Sequence, residues 1–196
     1  MNQAHLSYLA SPEWAQALRS DLLPWLESIG DLGDAVIEIG PGPGLTTDLL
    51  REKSAAVTAV EIDPELASSL TSRLAGTNVT VIEGDANVVG MPSDHFTTAT
   101  CFSMLHHMPT PADQDELFAT MCRVLRPGGQ LVGIDSLDTE RIRQAHVDDV
   151  FVPLDQDTLV SRLQAAGFTH IVVERAGTYA ERGDQVRFYA KKPSHN

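Results

Sequence analysis

Val36-Ile37-Glu38-Ile39-Gly40-Pro41-Gly42-Pro43-Gly44 is the stretch on which the fold turns. A buried type of strand runs straight into a turn that carries glycine at every second position. A backbone without Cβ atoms turns tightly and lets a ligand come close, and a helix that begins after such a turn offers unpaired N–H groups. The helix is expected over Leu45 to Glu52, where the apolar residues take helical spacing. The unit reads as the strand–loop–helix of a nucleotide-type site, although glycine-rich turns also serve simple packing of helix on strand.

Outward from this unit, short apolar runs alternate with amphipathic stretches, the texture of a parallel sheet covered by helices on both faces. Strands are expected at Ala35 to Ile39, Ala56 to Glu61, Val79 to Ile82, Phe96 to Phe102 and Gln130 to Ile134. Helical patterns occupy Pro64 to Leu74, Gln114 to Leu125 and Asp157 to Ala166, the last stopped by Gly167. The link between the third and fourth strands lacks periodicity and is expected to be irregular. Ile171 to Arg175 and Gln185 to Lys191 read as an antiparallel closing pair joined across Gly177 to Gly183. Upstream, Ser11-Pro12-Glu13-Trp14 has the signature of a helix start, and Pro24 is expected to kink or break that helix. Residues 1–196 are read as a single domain, with 1–32 as an N-terminal helical lid and 136–154 as an acidic substrate-side insertion.

Composition narrows the function. The 196 residues are 42% apolar and 21% charged, enough to bury a core. Fourteen Lys and Arg against twenty-seven Asp and Glu leave a net charge of −13, so no global positive field attracts a phosphate backbone, and nucleic acid is not an expected partner. Cys101 and Cys122 form neither a disulfide framework nor a Cys-x-x-Cys pair, and read as buried thiols in a reducing compartment. Met1 to Ala10 has no signal-peptide pattern and no apolar stretch approaches a membrane span, so the expectation is a cytoplasmic protein without a membrane partner. Assembly as a homodimer is left open.

Two acids strengthen the nucleotide reading. Glu61 ends the second strand twenty-one residues after Gly40, where a doubly wound sheet brings a carboxylate beside the glycine loop to accept both ribose hydroxyls. In Val81-Ile82-Glu83-Gly84-Asp85-Ala86, Asp85 can accept an adenine amine and the Ala86 amide can donate to a ring nitrogen, or Asp85 can close an ordinary Asx-turn. Asp63, followed by Pro64, reads as a helix cap rather than a ligand.

Together these stretches resemble the class I S-adenosylmethionine-dependent methyltransferases. The resemblance extends through Phe102-Ser103-Met104-Leu105-His106-His107-Met108 and Arg123-Val124-Leu125-Arg126-Pro127-Gly128-Gly129, phrases typical of the small-molecule branch. It implies an α/β, doubly wound, seven-stranded and mostly parallel sheet of order 3-2-1-4-5-7-6, with the last strand antiparallel. It further implies transfer of a methyl group from S-adenosylmethionine to a small-molecule acceptor by in-line displacement. By the same resemblance, Gly40, Gly42 and Gly44 border the methionine part of the cofactor and Glu38 helps hold its amino group. Glu61 takes the ribose, with Ile62 beside it in the cofactor-binding set. Asp85 and Ala86 take the adenine, and Ser103 lies near the methionine. The family usually has Phe-Asp where this chain has Phe96-Thr97, and Asp94 is the candidate to compensate.

Two other functions compete. An NAD(P)-dependent Rossmann oxidoreductase is disfavoured because the third glycine comes one position early and Glu38 would repel a pyrophosphate. No Tyr-x-x-x-Lys pair supports it either. A non-catalytic S-adenosylmethionine-binding protein would share the loop and differ only in turnover.

Methyl transfer from a sulfonium releases a neutral group, so alignment and exclusion of water supply most of the rate, and an acceptor that must lose a proton gains from a nearby base. His106 and His107 follow the fourth strand and are the catalytic candidates. Relatives by this resemblance often carry histidine at the place of His107. Adjacent side chains are expected to diverge, so at most one is a base. No metal is expected, since the pair lacks the i, i+4 helical spacing and no carboxylate partner is evident. Asp135 is a second-rank site candidate. His146, Asp148 and Asp149 read as a solvated face, and Tyr8, Trp14 and Phe151 as apolar walls for the acceptor.

Overall fold

Alternation along β1 (Ala35–Ile39) sends Val36 to one face of a sheet and Ile37 and Ile39 to the other, and all three are buried. The computed structural model describes residues 3–176 and 183–194. Around β1 stand β2 (Ala56–Glu61), β3 (Val79–Glu83), β4 (Phe96–Phe102), β5 (Leu125–Ser136), β6 (Thr169–Ala176) and β7 (Gln185–Lys191). Their order is β3-β2-β1-β4-β5-β7-β6, with β7 antiparallel to both of its neighbours. The chain therefore reverses direction of progress across the sheet between β1 and β4, and a crevice opens beyond the carboxyl ends of those strands.

Helices cover both faces. Leu117, Phe118 and Met121 of α6 (Pro111–Val124) pack with Leu159 and Leu163 of α8 (Gln156–Ala165) against the face of Ile37 and Ile39. Leu26 of α3 (Leu23–Ile29) and Leu49 and Leu50 of α4 (Leu45–Leu50) pack against the face of Val36, Val57 and Val132. Between β2 and β3 runs α5 (Pro64–Arg73), capped by Asp63, whose Oδ1 accepts from the amides of Glu65 and Leu66 at 2.9 and 3.0 Å, as its Asp-Pro-Glu start implies. No helix among the described residues is long and apolar enough to cross a membrane.

Four features depart from the sequence reading. A helix α1 (Gln3–Leu9) precedes the expected start at Ser11, whose Oγ caps α2 (Pro12–Ala17) by accepting from the Trp14 amide. Pro24 does not break the leading helix: a π-turn over Leu18–Leu22 carries it directly into α3 with Pro24 in its first turn, where the missing N–H is tolerated. The acidic insertion contains a helix, α7 (Glu140–Ala145), capped by Thr139, with Ile142 its single buried residue and therefore no periodic signal. Finally, β5 begins at Leu125, five residues ahead of the expected Gln130, through a register shift against β4. The expected link across Gly177 to Gly183 lies outside the described residues except at Gly183.

Thr97 occupies the place where the resembling family has aspartate. Its Oγ1 accepts from the Ala35 amide at 3.1 Å and reaches the Leu32 and Ala35 carbonyls, both at 2.8 Å, tying β4 to the start of β1. Asp94 does not compensate; it pairs with Lys192 at 2.6 Å.

Candidate functional site

The loop after β1 is held open by its glycines and closed by a carboxylate. Gly40 has φ +67°, and a Cβ there would stand 2.8 Å from the Met104 Cβ, so only glycine lets the loop pass that side chain. Gly44, at φ +84°, caps α4 and would clash with Leu70, so it serves the packing of α4 on α5. The Gly42 amide donates to Glu61 Oε2 at 2.9 Å, while Glu61 Oε1 accepts from the Asp63 amide at 3.0 Å. One carboxylate thus joins the two strand ends and keeps further lone-pair sites for a ligand.

Beyond the strand ends lies a cavity of about 420 Å³, within the range of small-molecule sites. Among the expected residues, Gly40, Gly42, Glu61, Ile62, Asp85, Ala86, Ser103 and His107 line it. Glu38, Gly44 and His106 do not. Four acids, Glu61, Asp63, Asp85 and Asp113, stand on the wall, and among the described residues no lysine or arginine does. Such a wall attracts a cation and repels a pyrophosphate.

Glu38 falls on the same face of β1 as Val36, toward α4, and is fully buried. Its carboxylate accepts hydrogen bonds from the Thr46 hydroxyl and, at 2.6 Å, from the Thr47 hydroxyl. Burial raises its pKa to about 7 against the lowering effect of the two hydroxyls, and Glu61 and Asp48 add repulsion. Thr46 itself lines the cavity, so the acid reaches the site through a hydroxyl.

Asp85 Oδ1 accepts from the Asn87 amide at 2.9 Å, the Asx-turn, leaving Oδ2 for the cavity. Ser103 stands at φ +54°, in the left-handed region that is costly for a residue with a Cβ, at the point where β4 leaves the sheet beside the cavity. Ile62 is 67% exposed, presenting an apolar side chain to the cavity mouth.

The two adjacent histidines do not diverge. A tight 3₁₀ turn over Leu105–His107 places their rings 4.1 Å apart, centroid to centroid. His106 is buried, with Nδ1 2.6 Å from Asp135 Oδ1. Asp135 Oδ2 and Oδ1 also accept from the amides of Leu105 and Ser136. Burial alone would raise the Asp135 pKa, but the His106 ring and these hydrogen bonds hold its carboxyl below the usual carboxylate range. His146 is not part of a solvated face: it is 6% exposed, with its ring 4.8 Å from His106 and 5.2 Å from His107. The Asp149 side chain is also largely buried, 3.9 Å from His107 Nδ1, whereas Asp148 is exposed as expected. The Val152 amide donates to the His106 carbonyl at 2.8 Å, which pins the insertion over the turn.

Of the apolar candidates, Trp14 lines the cavity beside Leu6 and Leu9. Tyr8 packs on Trp14 at 5.5 Å, and Phe151 stacks on His146 at 4.8 Å. Sequence reasoning missed Thr46, Met104 and Asp113 as wall residues. Thr46 follows the glycine loop by two positions and could have been found from that spacing; Met104 and Asp113 carry no local signal.

Residues 37–133 match the family model described as a methyltransferase domain. A ubiquinone biosynthesis O-methyltransferase of Pseudomonas fluorescens is 30% identical over 112 residues, 55% of this chain and 47% of that protein. A probable ribosomal RNA small subunit methyltransferase A of Thermococcus onnurineus is 46% identical over 59 residues, 30% of this chain and 22% of that protein. The chain thus spans less than half the length of these two relatives. Among solved structures, phosphoethanolamine N-methyltransferase 2 of Haemonchus contortus, in complex with S-adenosyl-L-methionine, superposes with a TM-score of 0.73 at 16% identity, over 92% of this chain and 53% of that one.

Proposed function

Because the chain belongs to the class I S-adenosylmethionine-dependent methyltransferases, we propose that it methylates a small-molecule acceptor held in the cavity beside His107. The observation that carries this reading is the acid-lined wall without a lysine or arginine among the described residues, which suits a sulfonium and an ammonium and opposes a dinucleotide.

When bound, S-adenosylmethionine supplies an activated methyl group whose transfer breaks the carbon–sulfur bond, with the electron pair passing to sulfur. Glu61 would accept the ribose hydroxyls on its remaining lone pairs, Asp85 Oδ2 with the Ala86 amide would hold the adenine, and Ile62 would supply apolar surface beside them. Thr46, polarised by Glu38, accepts from the cofactor ammonium near the glycine loop. Ser103 shapes the wall beside the methionine.

At the acceptor end, His107 is the imidazole presented to the incoming nucleophile and handles its proton. The leading helices act as a lid through Leu6, Leu9 and Trp14 on the cavity wall, and the insertion at 136–154 is tied beside the acceptor end by the Val152 amide on the His106 carbonyl. A small molecule is favoured over RNA by the −13 charge and the acidic wall. The two thiols, free and buried, accord with a reducing, cytoplasmic setting.

Release of the demethylated cofactor, followed over a panel of phenols, amines and quinols, tests the reading. With the best acceptor, His107→Ala is expected to lower kcat by about 10²–10⁴-fold while leaving cofactor affinity unchanged. An unchanged rate across pH would remove His107 from the mechanism.

A further inference from the structure

We propose that His106, His107 and His146 form a binding site for a divalent transition ion, zinc(II) by ligand type, at the acceptor end of the cavity. Donor nitrogens of the three rings lie within 4.8 Å of one another. They come from two separate parts of the chain, the turn after β4 and the end of α7, which the insertion folds together. The two grounds against a metal in the sequence, absence of helical spacing and of a carboxylate partner, are both answered by the fold: His146 is the third ring and Asp135 the carboxylate.

The surroundings orient the rings as ligands. Asp135 Oδ1 lies 2.6 Å from His106 Nδ1, and the Ile142 carbonyl lies 2.8 Å from His146 Nδ1. An oxygen acceptor at Nδ1 keeps the proton there and leaves the lone pair on Nε2, as carboxylates and carbonyls do behind metal-bound imidazoles. Nε2 of both rings is buried. For His107, the Asp149 carboxylate stands 3.9 Å from Nδ1, close enough to balance the charge of an ion.

Imidazole donors without a ring of oxygens select zinc or its neighbours over magnesium or calcium. In a tetrahedral zinc site with bonds of about 2.0–2.1 Å, neighbouring nitrogens stand about 3.3–3.4 Å apart, so the rings close by roughly 1 Å or more around the ion. Three protein ligands leave one position, and His107 is the ligand that lines the cavity. The fourth position therefore faces the acceptor and takes a lone pair from its oxygen or nitrogen. The role rests on the methyl-transfer reading and deepens it: with the ion bound, the His107 lone pair is committed to the metal, and the acceptor is activated by the ion instead of losing its proton to the ring. The site itself does not rest on that reading.

The test uses the full chain, tag-free and stripped of metal, titrated with Co(II) as a spectroscopic probe and then with Zn(II), while calorimetry on the same samples follows binding of S-adenosylhomocysteine. One Co(II) per chain is expected, with the visible bands of a four- or five-coordinate site that Zn(II) abolishes. His146→Ala should weaken Co(II) at least 100-fold, and Asp135→Asn about 10–100-fold, with S-adenosylhomocysteine binding retained in both. His146→Gln serves as a second variant should the alanine form fail to fold. No ligand-field spectrum at millimolar Co(II), or equal affinity in the folded His146 variant, would overturn the site. Metal binding without S-adenosylhomocysteine binding would instead sink the methyl-transfer reading and leave the ion standing.

Discussion

Glu61 holds the glycine loop through the Gly42 amide and lines the cavity with the same residue, so its substitution bears on both. Glu61→Gln keeps the shape and removes the charge; S-adenosylmethionine affinity, read by calorimetry, is expected to fall by about 1.5–3 kcal/mol. An unaltered dissociation constant would refute the ribose role. Glu38 gives a pH prediction. Its folded pKa of about 7 exceeds the unfolded value of 4.5, so between those values the folded chain keeps a proton that the unfolded chain has lost. Stability therefore declines as pH rises from about 4.5 to about 7, by a total on the order of 3 kcal/mol from this group. Urea unfolding at pH 5 and pH 8 should show a smaller decline in Glu38→Gln; an identical decline would contradict the buried acid. Glu61 was legible in the sequence because its spacing from Gly40 fixes a strand end. Glu38 was legible as an acid beside the loop, but its bonds to Thr46 and Thr47 became visible only once strand alternation was set against the position of α4.

Among the elements, strands β1, β2, β4 and β7 lie where their apolar runs place them, because a buried strand ends where burial ends. The pieces the sequence concealed are those without periodicity. Helix α7 buries one residue, and the π-turn at Leu18–Leu22 absorbs a proline that local rules read as a break. Both flank the site: α7 delivers His146, and the leading helices deliver Leu6, Leu9 and Trp14 to the cavity. If those helices are a lid, Trp14→Ala should raise the acceptor KM at least tenfold while changing cofactor affinity little. Initial-rate kinetics with a saturating cofactor reads this, and a KM equal to that of the parent would make Trp14 a packing residue only.

At the scale of the whole molecule, the sheet order and the acidic wall agree on one ligand. A crevice at the switch between β1 and β4 receives a nucleoside, and four carboxylates without a neighbouring lysine or arginine among the described residues ask that its tail be cationic. The strand order followed from a family resemblance, and the wall follows from acids scattered between Glu61 and Asp113 that only the fold assembles. Acceptor identity was not legible, because Leu6, Leu9 and Trp14 reach the cavity from leading helices in which no motif constrains the side chains. The most direct test is calorimetric titration of the purified chain with S-adenosylmethionine, S-adenosylhomocysteine and NAD in parallel. Saturable one-to-one binding of the first two and none of the third is the predicted result; tight binding of NAD with silence toward the others would contradict it.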